Sequence, residues 1–129
     1  MTKVNNESKA VLNELWSLAK RYNDNYKLDN DSTFMPLVIE IIEESVISLC
    51  HYGEQYGDLM RDPEMLFYKD DTGDYIPYYY RNDYAGIEEF VGEVLNNKFS
   101  MINELKQFQQ ARFANDWLLN IKYQQQLDF

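Results

Sequence analysis

The chain has 129 residues, 45% of them apolar and 16% aromatic, which reads as one packed domain and excludes disorder. Its net charge of −10 argues against direct contact with nucleic acid and for basic protein surfaces as partners. That charge is regional: residues 29–93 hold sixteen acidic and three basic side chains, a net −13, and the remainder carries +3.

Positions 8–22 place Val11, Leu15, Leu18 and Tyr22 on one stripe, with Leu12, Trp16 and Ala19 beside it, predicting an amphipathic helix capped by Asn5 or Asn6. Residues 23–34 read as a polar connection. The run Met35–Ile42 is β-branched with Pro36 at its start and predicts a strand. Glu43-Glu44-Ser45 turns into a second strand, Val46 to about Tyr52. Gly53 and Gly57 bracket a polar stretch, and Asp62-Pro63 reads as a break. A third strand, Glu64–Tyr68, leads into Asp70-Asp71-Thr72-Gly73-Asp74, a hairpin-turn signal. The fourth strand runs from Tyr75 to about Arg81. Residues 86–95 fit a fifth strand or a short helix. After Asn96-Asn97, Ser100 is the expected cap of a helix over 101–125, where Ile102, Leu105, Phe108, Phe113, Trp117 and Ile121 recur at helical spacing.

The expected fold class is therefore α+β, in a single domain over residues 1–129. An N-terminal helix precedes an antiparallel meander of four or five strands, and a long C-terminal helix packs on one sheet face. The lone Cys50 forms no internal disulfide, and no segment reaches the roughly 18–20 apolar residues of a membrane span. With no apolar segment behind Lys3 either, the sequence predicts a soluble, cytoplasmic protein without membrane contact.

Three side-chain groups could carry function. His51 with Glu54, Asp58, Asp62 and Glu64 is the one place for a metal or acid–base site, but no second His or Cys stands near, so the cluster reads first as a polar loop. Cys50 and His51 are strand neighbours facing opposite sides and make no nucleophilic pair. No phosphate-binding glycine loop and no nucleophile elbow occurs, so neither a cofactor nor an enzymatic activity is expected. The second group is Tyr75, Tyr78, Tyr79, Tyr80 and Tyr84. Strand alternation puts Tyr75 and Tyr79 on one face and Ile76, Tyr78 and Tyr80 on the other, so one face exposes large aromatics suited to a protein interface. The third group is acidic: Glu54, Asp58, Asp62, Glu64, Asp70, Asp71 and Asp74. Carboxylates spaced along strands and loops can imitate the phosphates of a duplex.

Residues Ile47–Met65, with His51-Tyr52-Gly53-Glu54-Gln55-Tyr56-Gly57-Asp58-Leu59-Met60-Arg61-Asp62-Pro63-Glu64-Met65 at their centre, resemble the signature of an uncharacterised family of unknown function. Met35–Glu40 resembles its preceding strand, and Trp117–Lys122 resembles its closing helix. The resemblance covers about 34–124. It implies an α+β core and a setting on phages, plasmids and conjugative elements. It also implies a second aromatic where Gly53 stands and an asparagine where Tyr56 stands, and a glycine in the tail that this chain lacks.

On these grounds the first expectation is a non-enzymatic inhibitor of a host defence protein with a basic nucleic-acid channel, a CRISPR effector nuclease or a restriction enzyme, with the acids as charge and Tyr78–Tyr80 as anchors. The second is an accessory module for plasmid or phage maintenance that binds a protein through the tyrosines and the His51–Glu64 loop. The third is a small metal-dependent enzyme at His51.

Overall fold

The computed structural model describes residues 1–129. The first helix, α1 (Asn6–Arg21), starts at Asn5, whose side chain accepts the Ser8 N–H at 2.9 Å. Val11, Leu12, Leu15 and Ala19 form its buried stripe. It ends at Asn23 and Asp24, both left-handed with φ of 59° and 67°. Asn and Asp tolerate that conformation better than other side chains.

This reversal corrects the reading of residues 23–34 as a plain connection. It leads directly into β1 (Asn25–Leu28), which pairs antiparallel with β2 (Leu37–Glu43). Next come β3 (Val46–Gln55), β4 (Asp58–Lys69), β5 (Tyr75–Asn82) and β6 (Ile87–Phe90). Together they form a six-stranded antiparallel meander in chain order. The expected break at Asp62-Pro63 is absent. Pro63 lies inside β4, where the β3–β4 register shifts between Cys50 and Tyr52, and such a bulge needs no ladder N–H from it.

Residues 86–95 are neither one strand nor a helix. They divide into β6 and β7 (Gly92–Leu95), and β7 pairs with β8 (Lys98–Met101) in a separate hairpin. Asn96 and Asn97, with φ of 52° and 62°, make its turn. Ser100 therefore belongs to β8. Asn103 caps α2 (Glu104–Gln124) instead, accepting the Lys106 N–H at 3.0 Å.

Both helices lie on one face of the sheet. The core between them contains Leu12, Leu15, Leu37, Ile39, Leu49, Met65, Phe67, Tyr75 and Leu118, all fully buried. Each such side chain contributes about 1.5–3 kcal/mol relative to exposure. The β7–β8 hairpin covers part of the opposite face, where Val94 and Phe99 meet Val46, Leu66, Tyr68, Tyr78 and Tyr79. No helix is long and apolar enough to cross a membrane.

Candidate functional site

A meander collects its turns at two ends. The β1–β2 loop, the β3–β4 and β5–β6 turns and the end of α2 share one; the β2–β3, β4–β5 and β7–β8 turns share the other. The stretch 47–65 folds as β3, a tight turn and β4 at the first end. There β2 stops pairing at Leu37 opposite His51, and β5 starts pairing at Arg81 opposite Glu64. Tyr52–Gln55 and Asp58–Arg61 consequently form ladder pairs only with each other, and Arg61 alone adds a backbone bond to Asp83. This two-stranded arm runs roughly 13 Å past the ends of the flanking ladders, at about 3.3 Å per residue, with the β5–β6 turn against its base.

Tyr56 and Gly57 form the arm's tip, both left-handed with φ of 52° and 85°. A two-residue hairpin turn demands positive φ at both positions, which suits glycine and strains tyrosine. Tyr56 is 96% exposed and Leu59 is 72% exposed. Glu54 and Asp58 beside them are also exposed, and neither forms an ion pair. On the face away from the helices, a groove of about 500 Å³ runs between the arm and β2, lined by Lys27, Pro36, Val38, Tyr52 and Leu59.

The arm's base is locked by charge. The Arg61 N–H donates to Asp83 Oδ2 at 2.8 Å, and the Asp83 N–H donates back to the Arg61 carbonyl at 2.9 Å. Arg81 Nε donates to Asp83 Oδ1 at 2.8 Å, and the Arg61 guanidinium lies 3.3 Å from Glu64. The Arg61 N–H and the Arg81 guanidinium hold the Asp83 carboxyl below its ordinary range. Tyr79 donates to Glu88 at 2.6 Å, and its hydroxyl is pushed up to about 12 by burial and by that carboxylate. Tyr84 lies across Gly53 so closely that a side chain at 53 would meet its hydroxyl.

Cys50 is buried, its thiol pushed up to about 12 by burial and by the Glu64 carboxylate, a state in which it is not a nucleophile. His51 faces the helices, only 5% exposed, with its ring edge-on to Trp117 at 5.5 Å between centroids. Its Nδ1 lies 3.1 Å from the Pro36 carbonyl oxygen. A carbonyl only accepts, so in the neutral ring Nδ1 carries the proton and Nε2 is the acceptor. Burial lowers the imidazole's pKa, which favours that neutral ring.

The five side chains of the third reading, a metal site at His51, do not come together. Of its carboxylates, only Asp62 lines a pocket with His51; Glu64 pairs with Cys50 in the ladder and accepts from Ser48 at 3.2 Å on the other face. No three His, Cys, Asp or Glu side chains converge anywhere in the chain.

The seven acids expected to share one surface are divided. Glu54, Asp58, Asp62 and Glu64 lie on or beside the arm, and Asp70, Asp71 and Asp74 sit at the far end of β4, at 3.3 Å per residue roughly 20 Å from Glu64 and roughly 40 Å from Asp58. Asp70 organises that far turn, accepting the N–H groups of Thr72 at 2.9 Å and Asp74 at 3.0 Å. Asp74 pairs with Lys9 and Lys3, both at 3.0 Å, and is held at about 2 by Lys9, then Lys3 and Thr72.

The aromatic anchors expected at Tyr78, Tyr79 and Tyr80 are corrected. Tyr78 and Tyr79 are each 5% exposed beneath Phe99 and Phe90, and Tyr80 packs edge-on against Phe113. Tyr78 is the extra residue of a bulge between Pro77 and Tyr79. The bulge shifts the alternation, so Tyr75 and Tyr80 share the helix side and Tyr79 faces away.

Residues 8–127 match the family model described as Domain of unknown function (DUF6908). The chain belongs to this family. No curated protein and no solved structure matches it. In this family member the sequence reading missed several residues at the arm end. Gln125 is fully buried; it accepts from Asn30 N at 2.8 Å and donates to the Met35 carbonyl at 3.3 Å, tying the end of α2 to the β1–β2 loop. Nothing in the run Gln124-Gln125-Gln126 separates it from its neighbours. Gly57 is a local turn signal, but a tyrosine before it is not, so the exposed tip at Tyr56 and Leu59 escapes a local reading.

Proposed function

We propose that the chain is a small, non-enzymatic binding protein whose arm end docks on a basic surface of a partner protein. The partner class we favour is a nucleic-acid-binding defence protein of a bacterial host, a CRISPR effector nuclease or a restriction enzyme, in whose cationic channel the acids take the place of phosphates. The setting on a mobile element and a cytoplasmic site of action belong to the same reading.

The observation that carries it is the arm: a rigidly based projection bearing Glu54 and Asp58 without ion pairs, in a region of net −13. Unpaired exposed carboxylates act chiefly by steering a cationic partner, and that effect falls steeply with salt.

The test is capture of tagged protein from lysates expressing defence nucleases, washed at low and high salt. Retention of a nucleic-acid-binding effector at low salt, its loss at high salt and its displacement by guide or DNA are expected. Capture that survives both high salt and the triple reversal Glu54→Lys, Asp58→Lys, Asp62→Lys would rule out charge mimicry. Tyr56 and Leu59 favour a second reading, an accessory module that grips a maintenance protein by apolar contact. Under it, capture is salt-insensitive and is lost in Tyr56→Ala, Leu59→Ala.

A further inference from the structure

On the helix side of the arm's base lies a pocket of about 280 Å³, lined by Phe34, Met35, His51, Asp62, Trp117 and Gln124 among others. At about 30 Å³ per water, it has room for roughly nine waters or one long side chain. Its chemistry is uneven. Trp117 and Phe34 supply aromatic walls, and Asp62 supplies a carboxylate that forms no ion pair. The neighbouring Arg61 does not neutralise it, because that guanidinium is engaged with Glu64 and Asp83 on the opposite face. Asp62 is also held in place, accepting from Asn82 Nδ2 at 3.2 Å. His51 has its Nδ1–H on the Pro36 carbonyl, so Nε2 has no partner within the chain and is left as an acceptor. Gln124 and Asn120 add side-chain amides to the lining.

A carboxylate and a neutral imidazole acceptor between aromatic walls, with side-chain amides beside them, describe a site for a planar cation with several N–H donors. We propose that this pocket receives the guanidinium of an arginine side chain presented by the partner protein. A guanidinium stacks on aromatic faces and distributes its donors in a plane, whereas an ammonium is a compact, strongly hydrated point charge. The assignment rests on the reading of the arm end as a docking site for a basic protein, and adds to it a residue that the partner must possess.

The experiment is a titration of the full chain with N-acetyl-arginine methylamide, followed by NMR at the single imidazole, His51, and at the Trp117 indole. The lysine analogue and the variant Asp62→Asn are run alongside. Saturable shifts at both rings are expected, at least tenfold weaker with the lysine analogue and at least tenfold weaker in Asp62→Asn. Spectra that otherwise match the parent show that Asp62→Asn is folded. No shift at either ring, equal response to the two analogues, or an unchanged response in Asp62→Asn overturns the assignment. A null titration beside intact salt-sensitive capture removes the pocket alone. Arginine binding without any capture from lysate removes the docking reading and leaves the pocket.

Discussion

The two ends of the sheet have similar compositions and opposite organisations. At the β4–β5 turn, Asp70 and Asp74 are consumed by the structure: backbone N–H groups, Thr72, Lys3 and Lys9 occupy their oxygens. At the β3–β4 turn, Glu54 and Asp58 meet no cation, and the tip spends a strained tyrosine on solvent. A carboxylate that accepts several local bonds stabilises the fold, and one that accepts none is free for a partner. Net charge thus locates a region, whereas the hydrogen-bond partners of each acid decide which part of it can bind.

The largest effect that would sharpen this contrast is on stability at the far turn. Asp70→Ala removes the acceptor of two backbone N–H groups and should cost about 1–2 kcal/mol in chemical denaturation, by analogy with lost caps and hydrogen bonds. Asp58→Ala should stay within about 0.5 kcal/mol of the parent, as for surface positions without partners. Equal losses at the two sites would break the comparison.

Next in size is the pH dependence, which separates the ends by window. The folded-state value of His51 lies below its ordinary 6.5 because burial disfavours the cation. As pH falls, the unfolded chain therefore takes up this proton first; the contribution is complete above 6.5 and declines below it. Asp74 is the reverse type, a carboxylate depressed from 3.8 to about 2, so its contribution is present above 3.8 and lost as pH falls toward 2. Unfolding curves of His51→Asn should lose the step that begins near pH 6.5 and keep the acid step. Retention of both steps would show that the imidazole is not buried neutral.

The smallest effect concerns the tip. Tyr56→Asn relieves the left-handed conformation and should raise stability by about 0.5–1 kcal/mol. The same substitution should weaken partner capture, because the exposed ring is lost. A variant that is both more stable and fully competent would show that the tip takes no part in binding.

Much of the fold was legible in the sequence. The stripe Val11, Leu15, Leu18 and the cap at Asn5 locate α1, and Asp70–Asp74 marks its hairpin, because these signals are local. What escaped depends on distant parts of the chain. β1 buries only Leu28 and has no alternation of its own; its partner β2 creates it. Asn103 rather than Ser100 caps α2 because residues 98–101 are held in a hairpin by Gly92–Leu95. Tyr78 and Tyr79 look like surface aromatics until Phe99, twenty residues on, is laid over the sheet. The arm is partly legible: Gly57 marks its turn, but that it runs beyond the flanking ladders follows from where β2 and β5 stop, which no local pattern encodes.

Two charge reversals placed at opposite ends separate local docking from total charge. Glu54→Lys, Asp58→Lys changes the arm, and Glu44→Lys, Asp71→Lys changes exposed acids at the far turns by the same charge. Both are assayed for low-salt capture of whatever basic partner the parent chain retains. At least a tenfold loss is expected for the arm variant and less than a twofold change for the far-turn variant, in line with steering by a local patch. Equal losses in both would mean that only total charge matters, and a loss confined to the far-turn variant would place the docking end on the wrong side of the sheet.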